Sequence, residues 1–143
     1  MAGISYLMDT NILSELARRE PDKGVRAWAA GVRYCAISSI TMEEIMFGLA
    51  WRPNKRVHQW LEKFFESYAD ILPVTESIAR RAGIMRGQLQ SRGIVRTQAD
   101  LLIASTASEQ GLTVVTRNIR DFDGCGVAIL NPFTEQGDGR RQP

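Results

Sequence analysis

Short apolar runs alternate along this chain with longer stretches whose apolar residues return every three or four positions. That is the signature of strands alternating with amphipathic helices. Ile4–Met8 reads as a first strand, and helical segments follow at Asn11–Arg19 and Lys23–Ala30, split by Pro21-Asp22. Tyr34–Ser38 is strand-like and feeds Ser39–Trp51, where Met42, Ile45 and Leu49 recur at helical spacing. Arg52-Pro53-Asn54 stops that helix. Val57–Tyr68 carries Trp60, Leu61, Phe64 and Phe65 on its apolar side, and Ile71–Val74 is a brief strand. Glu76–Ser91 predicts an Arg-rich helix ending before Gly93, and Thr97–Gln110 a further helix. Leu112–Thr116 reads as a buried strand, Val127–Leu130 as the last one, and a polar tail runs from Thr134 to Pro143. No internal repeat and no dividing linker interrupts the order, so the expectation is one α/β domain with a mostly parallel sheet.

Composition narrows the class only a little. A chain of 143 residues with 44% apolar and 24% charged residues is long enough for a real core and too apolar to be disordered. No apolar run approaches the length of a membrane span, and no basic stretch with an apolar core opens the sequence; the expectation is a cytoplasmic protein without a membrane partner. Cys35 and Cys125 are isolated, which argues against a zinc site or a disulfide framework. The net charge is only +2, yet all but three of the 18 basic residues are Arg, the side chain suited to bidentate phosphate contacts.

Four polar features stand where an apolar element ends or a helix begins. Asp9, with Thr10 and Asn11, closes the first strand. It reads either as helix punctuation or as a carboxylate at the carboxyl end of a strand, where open α/β sheets place their sites. Asp100 opens the apolar helix "DLLIASTA", and Thr97 three residues before it fits a capping box. Glu44 stands in the same relation to Thr41, but Thr41, Glu44 and Gly48 also line a stripe beside the core positions of their helix. Gly48 leaves open space one turn beyond the Glu44 carboxylate, whereas Glu43 points towards solvent. Finally, the strand ending in Thr116 is followed by Arg117, Asn118, Arg120 and Asp121.

These stretches, "YLMDTNILSEL", "ISSITMEEIMFGL", "ADLLIASTASEQGLTVVTRNIRDF" and "VAILNPF", resemble the PIN-domain family, and within it the VapC and FitB toxins of bacterial toxin–antitoxin operons. The resemblance implies a single three-layer α/β/α PIN-like domain over residues 1–133 with a polar tail at 134–143. It implies a ribonuclease dependent on Mg2+ or Mn2+, with Asp9, Glu44 and Asp100 as the catalytic, metal-holding acids. Thr10, Asn11 and Thr116 match supporting polar positions, and Asn118 stands where many relatives carry a further Asp, with Asp121 as a possible substitute. A small antitoxin protein and a homodimer are the partners it implies, beside RNA.

The chemistry is consistent with that resemblance. A phosphodiester resists water because its oxygens repel hydroxide, and a divalent metal offsets that charge. Paired imidazoles are the competing ribonuclease device, but His58 is the only histidine. Hydrolysis by water would leave a 5′-phosphate and a 3′-hydroxyl. Arg117 and Arg120 are candidates for substrate phosphate contacts. Nucleotide-binding glycine loops are absent, Asn11 stands where a haloacid-dehalogenase-type phosphatase needs its second Asp, and Ser38 and Ser39 lack a His partner. The rival reading is a PIN-like binding module with a weak or inactive site, acting through complex formation with an antitoxin or nucleic acid. Asn118 favours it, as do Met46, Phe47, Trp51, Trp60, Phe64 and Phe65, more apolar surface than one helix face needs.

Overall fold

The structure, a computed structural model, describes residues 3–134 and 140–141. The chain runs β1 (Tyr6–Met8), α1 (Thr10–Leu16), α2 (Lys23–Ala30), β2 (Cys35–Ser38), α3 (Ser39–Trp51), α4 (Lys55–Tyr68), β3 (Ala69–Leu72), α5 (Glu76–Ser91), α6 (Gln98–Gln110) and β4 (Thr113–Val115). A 3-10 turn (Ile119–Phe122), β5 (Ile129–Leu130) and β6 (Arg140–Arg141) complete it. The sheet order is β3-β2-β1-β4-β5-β6, parallel throughout except for β6, which runs antiparallel to β5.

Side-chain alternation along the strands makes the three layers. Leu7 sits beside Ala36 of β2 and Val114 of β4 in register, and all three point into the core under α5 and α6. Their neighbours Met8, Ile37 and Val115 point to the opposite face, where Ile12 and Leu13 of α1, Val25 of α2 and Leu61 of α4 cover them. Both faces of the sheet are thus buried, as parallel sheets require. Each fully buried Leu or Ile of this kind contributes about 2 kcal/mol of transfer free energy.

The expected elements are all present, several with shifted ends. β3 stops at Leu72 rather than reaching Val74, because Pro73 has no N–H to give a neighbouring strand. α1 ends at Leu16 rather than Arg19: the chain turns there so that the Asp22 N–H donates to the buried Glu15 carboxylate at 2.8 Å. α6 ends on Gly111, whose φ of 68° is left-handed and returns Leu112 N–H to the Ala107 carbonyl at 2.8 Å. The tail after residue 133 is not uniformly irregular, since residues 140–141 pair with β5; residues 135–139 and 142–143 of that tail lie outside the described residues. The apolar surplus of α3 and α4 divides: Phe47 and Trp51 are exposed, whereas Met46, Trp60, Phe64 and Phe65 pack against the core.

The segment after β5 folds back onto α2. Asp22 accepts from Thr134 Oγ1 at 2.7 Å and from the Thr134 N–H at 3.2 Å, and the Pro132 carbonyl approaches Gly24 so closely that a Cβ there would lie 2.2 Å from it. Gly24→Ala is therefore expected to destabilise the protein by about 1–3 kcal/mol, since backbone must move. Gly48→Ala, whose Cβ would meet nothing within 4 Å, should be neutral or stabilising by up to about 1 kcal/mol. Urea denaturation midpoints of the two variants against wild type check the contrast.

Candidate active site

The sheet order creates the crevice. From β1 the chain passes to β2 on one side, while β4 lies on the other, so the loops beyond the carboxyl ends of β1 and β4 part. Asp9 follows β1 immediately, and its N–H prolongs the ladder to the Val115 carbonyl at 2.9 Å. Its side chain is only 7% exposed. One carboxylate oxygen accepts the Thr10 N–H at 2.8 Å; the other accepts Thr116 Oγ1 at 2.8 Å and Asn11 Nδ2 at 3.1 Å. Asp9 is also the N-cap of α1. Helix punctuation and strand-tip carboxylate are thus one geometry, not alternatives.

Glu44 corrects an expectation. The N-cap of α3 is Ser38, whose hydroxyl accepts the Ile40 N–H at 3.0 Å, so no capping box starts at Thr41. β2 runs into α3 without a loop, which leaves the capping role to the last strand residue. Thr41 lies inside the first turn, fully buried. The Glu44 carboxylate instead accepts the Thr10 hydroxyl at 2.5 Å, and Thr10 Oγ1 also lies 3.3 Å from Thr41 Oγ1. For Asp100 the capping contact is present: Thr97 caps α6 and accepts the Asp100 N–H at 3.1 Å. The Asp100 side chain nevertheless lines the same cleft as Asp9 and Glu44.

The three acids feel one another. Burial, first of all, pushes the Asp9 carboxyl up from 3.8 to about 6; hydrogen bonds from Thr116 and Thr10 oppose this, and the Asp100 and Glu44 charges add to it. Asp100 is also raised, chiefly by burial, with the Thr97 hydrogen bond opposing, Asp121 and Glu44 adding and Arg96 opposing. Among the described residues, no group of three or more His, Cys, Asp or Glu side chains is arranged to grip one ion directly.

Of the other expected residues, Thr10, Asn11, Arg117 and Asn118 line the cleft. Thr116 lies fully buried beneath it, accepting the Asn118 N–H at 3.0 Å. Arg120 and Asp121 belong to the 3-10 turn and do not line the cleft; Asp121 reaches it only through its charge on Asp100. Four lining residues escaped the sequence reading: Ser14, Glu15, Arg18 and Phe133. The first three recur at helical spacing from Asn11, so the stripe they form was present in the sequence once Asn11 was placed at the site. Phe133 had no local signal.

Comparison with known proteins identifies the family. The PIN domain family matches residues 6–124. The chain is 33% identical over 135 residues to VapC ribonuclease Y4jK of Sinorhizobium fredii, covering 89% of this chain and 96% of that protein. It is 33% identical to Toxin FitB of Neisseria gonorrhoeae, with 89% and 97% covered. The crystal structure of FitAcB from Neisseria gonorrhoeae superposes with a TM-score of 0.77 at 32% identity, covering 89% of this chain and 97% of that one. VapBC2 from Rickettsia felis, bound to a DNA fragment from their promoter, gives a TM-score of 0.73 at 26% identity, with 83% and 91% covered. The chain belongs to the PIN domain family.

The raised Asp9 carboxyl predicts a pH dependence of stability in metal-free protein. Asp9 binds its proton more tightly folded than unfolded, so its stabilising contribution is complete below 3.8 and is lost as pH rises through about 6. Over that window the loss attributable to Asp9 is about 3 kcal/mol. Urea denaturation of wild type and Asp9→Asn with chelator, from about pH 4 to pH 7, should show a steeper fall in wild type than in the variant. Parallel curves would contradict the burial of a charged Asp9.

Proposed function

We propose that the protein is an endoribonuclease dependent on Mg2+ or Mn2+ and the toxin of a toxin–antitoxin pair. The observation that carries this reading is the convergence of Asp9, Glu44 and Asp100 on one cleft at the switch point of the sheet. Relatives named as a VapC ribonuclease and as Toxin FitB, matched over nearly their whole length, support it.

The donor set suits a hard divalent cation, since no Cys or His lines the cleft and its acids supply oxygen alone. Magnesium keeps several waters and takes one or two carboxylates directly, which fits acids that share a field without closing on one point. Asp9, Glu44 and Asp100 would hold it. Bound there, such an ion offsets phosphate charge and lowers the pKa of a coordinated water. The chain's own contribution is preorganisation. Thr116, Asn11 and the Thr10 N–H fix both oxygens of Asp9, and the Thr10 hydroxyl ties Glu44 to the start of α1. Asn118 brings an amide and no charge, so one firmly held ion is the expectation. His58 sits on α4 with Glu62 at 4.0 Å and lines no part of the cleft, so imidazole acid–base chemistry has no place there.

An antitoxin is the proposed protein partner. Trp28, Trp60 and Phe64 wall a hollow of about 220 Å3, and the buried Trp28 indole N–H finds no acceptor among the described residues, so an apolar segment bearing a carbonyl would satisfy it. The homodimer rests on the resemblance alone. Among the described residues no helix is long and apolar enough to cross a membrane.

Purified protein freed of any partner should cleave RNA with Mg2+ or Mn2+ and stop in excess EDTA. Asp100→Asn should abolish cleavage and the rise in Tm that added metal produces, while leaving metal-free Tm equal or higher, because a repelling charge has gone. A variant still active and still stabilised by metal would reduce Asp100 to a helix-start residue.

The two arginines now separate. Arg117, on the cleft wall, is proposed to contact a substrate phosphate, and Arg120 to be ordinary surface. Arg117→Ala should lower the salt dependence of RNA binding by about 0.7 in log–log slope, and Arg120→Ala should leave it alone.

A further inference from the structure

Phe133 lines the active cleft, and the segment 131–134 that carries it is tied down at several points. Asn131, fully buried, accepts the Phe133 N–H at 2.9 Å through Oδ1 and donates through Nδ2 to the Arg117 carbonyl at 3.4 Å. The Arg117 N–H donates to Asn11 Oδ1 at 3.1 Å. Two amide side chains thus fix the Arg117 backbone from opposite sides. Thr134 is bound to Asp22, and the Phe133 ring, 3% exposed, is part of the core. Over that ring lies the Arg117 guanidinium, its Cζ 4.5 Å from the centroid.

We propose that Phe133 is a positioning residue, a fixed seat that holds the Arg117 guanidinium at the cleft mouth so that it meets an RNA phosphate entering beside the three acids. The proposal rests on the ribonuclease reading above and deepens it. An arginine loses many rotamers on binding a phosphate, and stacking on a rigid ring removes much of that cost in advance. The stack engages the flat face of the guanidinium, whereas phosphate recognition uses the N–H donors along its edge. A fixed cation matters here because Asp9, Glu44 and Asp100 otherwise repel the substrate's charge.

The test measures binding of a fluorescent single-stranded oligoribonucleotide to the full chain in EDTA, across a range of salt, together with KM and kcat in metal. Phe133→Leu keeps apolar bulk and loses the ring; Arg117→Lys keeps the charge and loses the planar stack on an exposed side chain that does not endanger folding. Each should weaken binding about 5- to 10-fold, lower the log–log salt slope by about 0.7, and raise KM more than it lowers kcat. Phe133→Tyr should behave as wild type. Phe133→Leu added to Arg117→Ala should cost nothing further, because the two residues act as one unit. Wild-type binding by Arg117→Lys, or a Phe133→Leu loss that adds fully to that of Arg117→Ala, would overturn the seat while RNA cleavage by wild type stood. A wild-type protein that neither bound nor cut RNA would overturn the ribonuclease reading and the seat with it.

Discussion

The hydrogen bond from Thr116 to Asp9 is the constraint on which the rest of the site depends. It joins the tips of the two strands between which the sheet changes direction, and it holds a carboxylate that burial alone would drive to the neutral form. The same carboxylate caps α1, so the helix that presents Asn11, Ser14 and Glu15 to the cleft takes its orientation from that contact. Thr10, next in sequence, extends the network to Glu44 on α3. Position, charge state and helix direction are therefore set by one cluster of short polar side chains.

That cluster is held at an energetic cost to the free protein. Asp9 and Asp100 are both raised by burial and by neighbouring acids, an arrangement that lowers stability near neutral pH and is relieved by a proton or a cation. A fold that only needed to cap two helices would not gather acids in this way; Ser38, Asn54 and Thr75 cap α3, α4 and α5 without any such penalty. The contrast sets Asp9 and Asp100 apart from the uncharged caps on physical grounds.

Much of this was legible in the sequence, and the parts that were not share a cause. Lys23–Ala30, Ser39–Trp51 and Glu76–Ser91 have the bounds that periodicity and caps implied, because helix signals are local. Glu44 was separable from Glu43 by its stripe alone, and Gly48 does face open space. The Thr41 capping box was a false match, since Ser38 reaches the cap position first when strand and helix abut. Arg117 and Arg120 looked equivalent in a row of polar residues; only the 3-10 turn parts them. Phe133 joins the cleft, and Asn131 braces it from beneath, because β5 lies beside β4, a neighbourhood set by the fold rather than by local sequence. The backbone pairing of residues 140–141 is equally silent, since ladder hydrogen bonds ask little of side-chain polarity.

The central place of β1 has a consequence for the order of events during synthesis. β1 leaves the ribosome well before its partner β4, which follows more than a hundred residues later. Until β4 docks, one flank of β1 is open, Thr116 cannot reach Asp9, and Asp100 has no place beside it. A nascent chain that has completed α1 through α5 thus carries two of the three acids and no cleft. The cleft therefore forms late, when contacts more than a hundred residues apart in sequence close, and a chain interrupted before β4 lacks it.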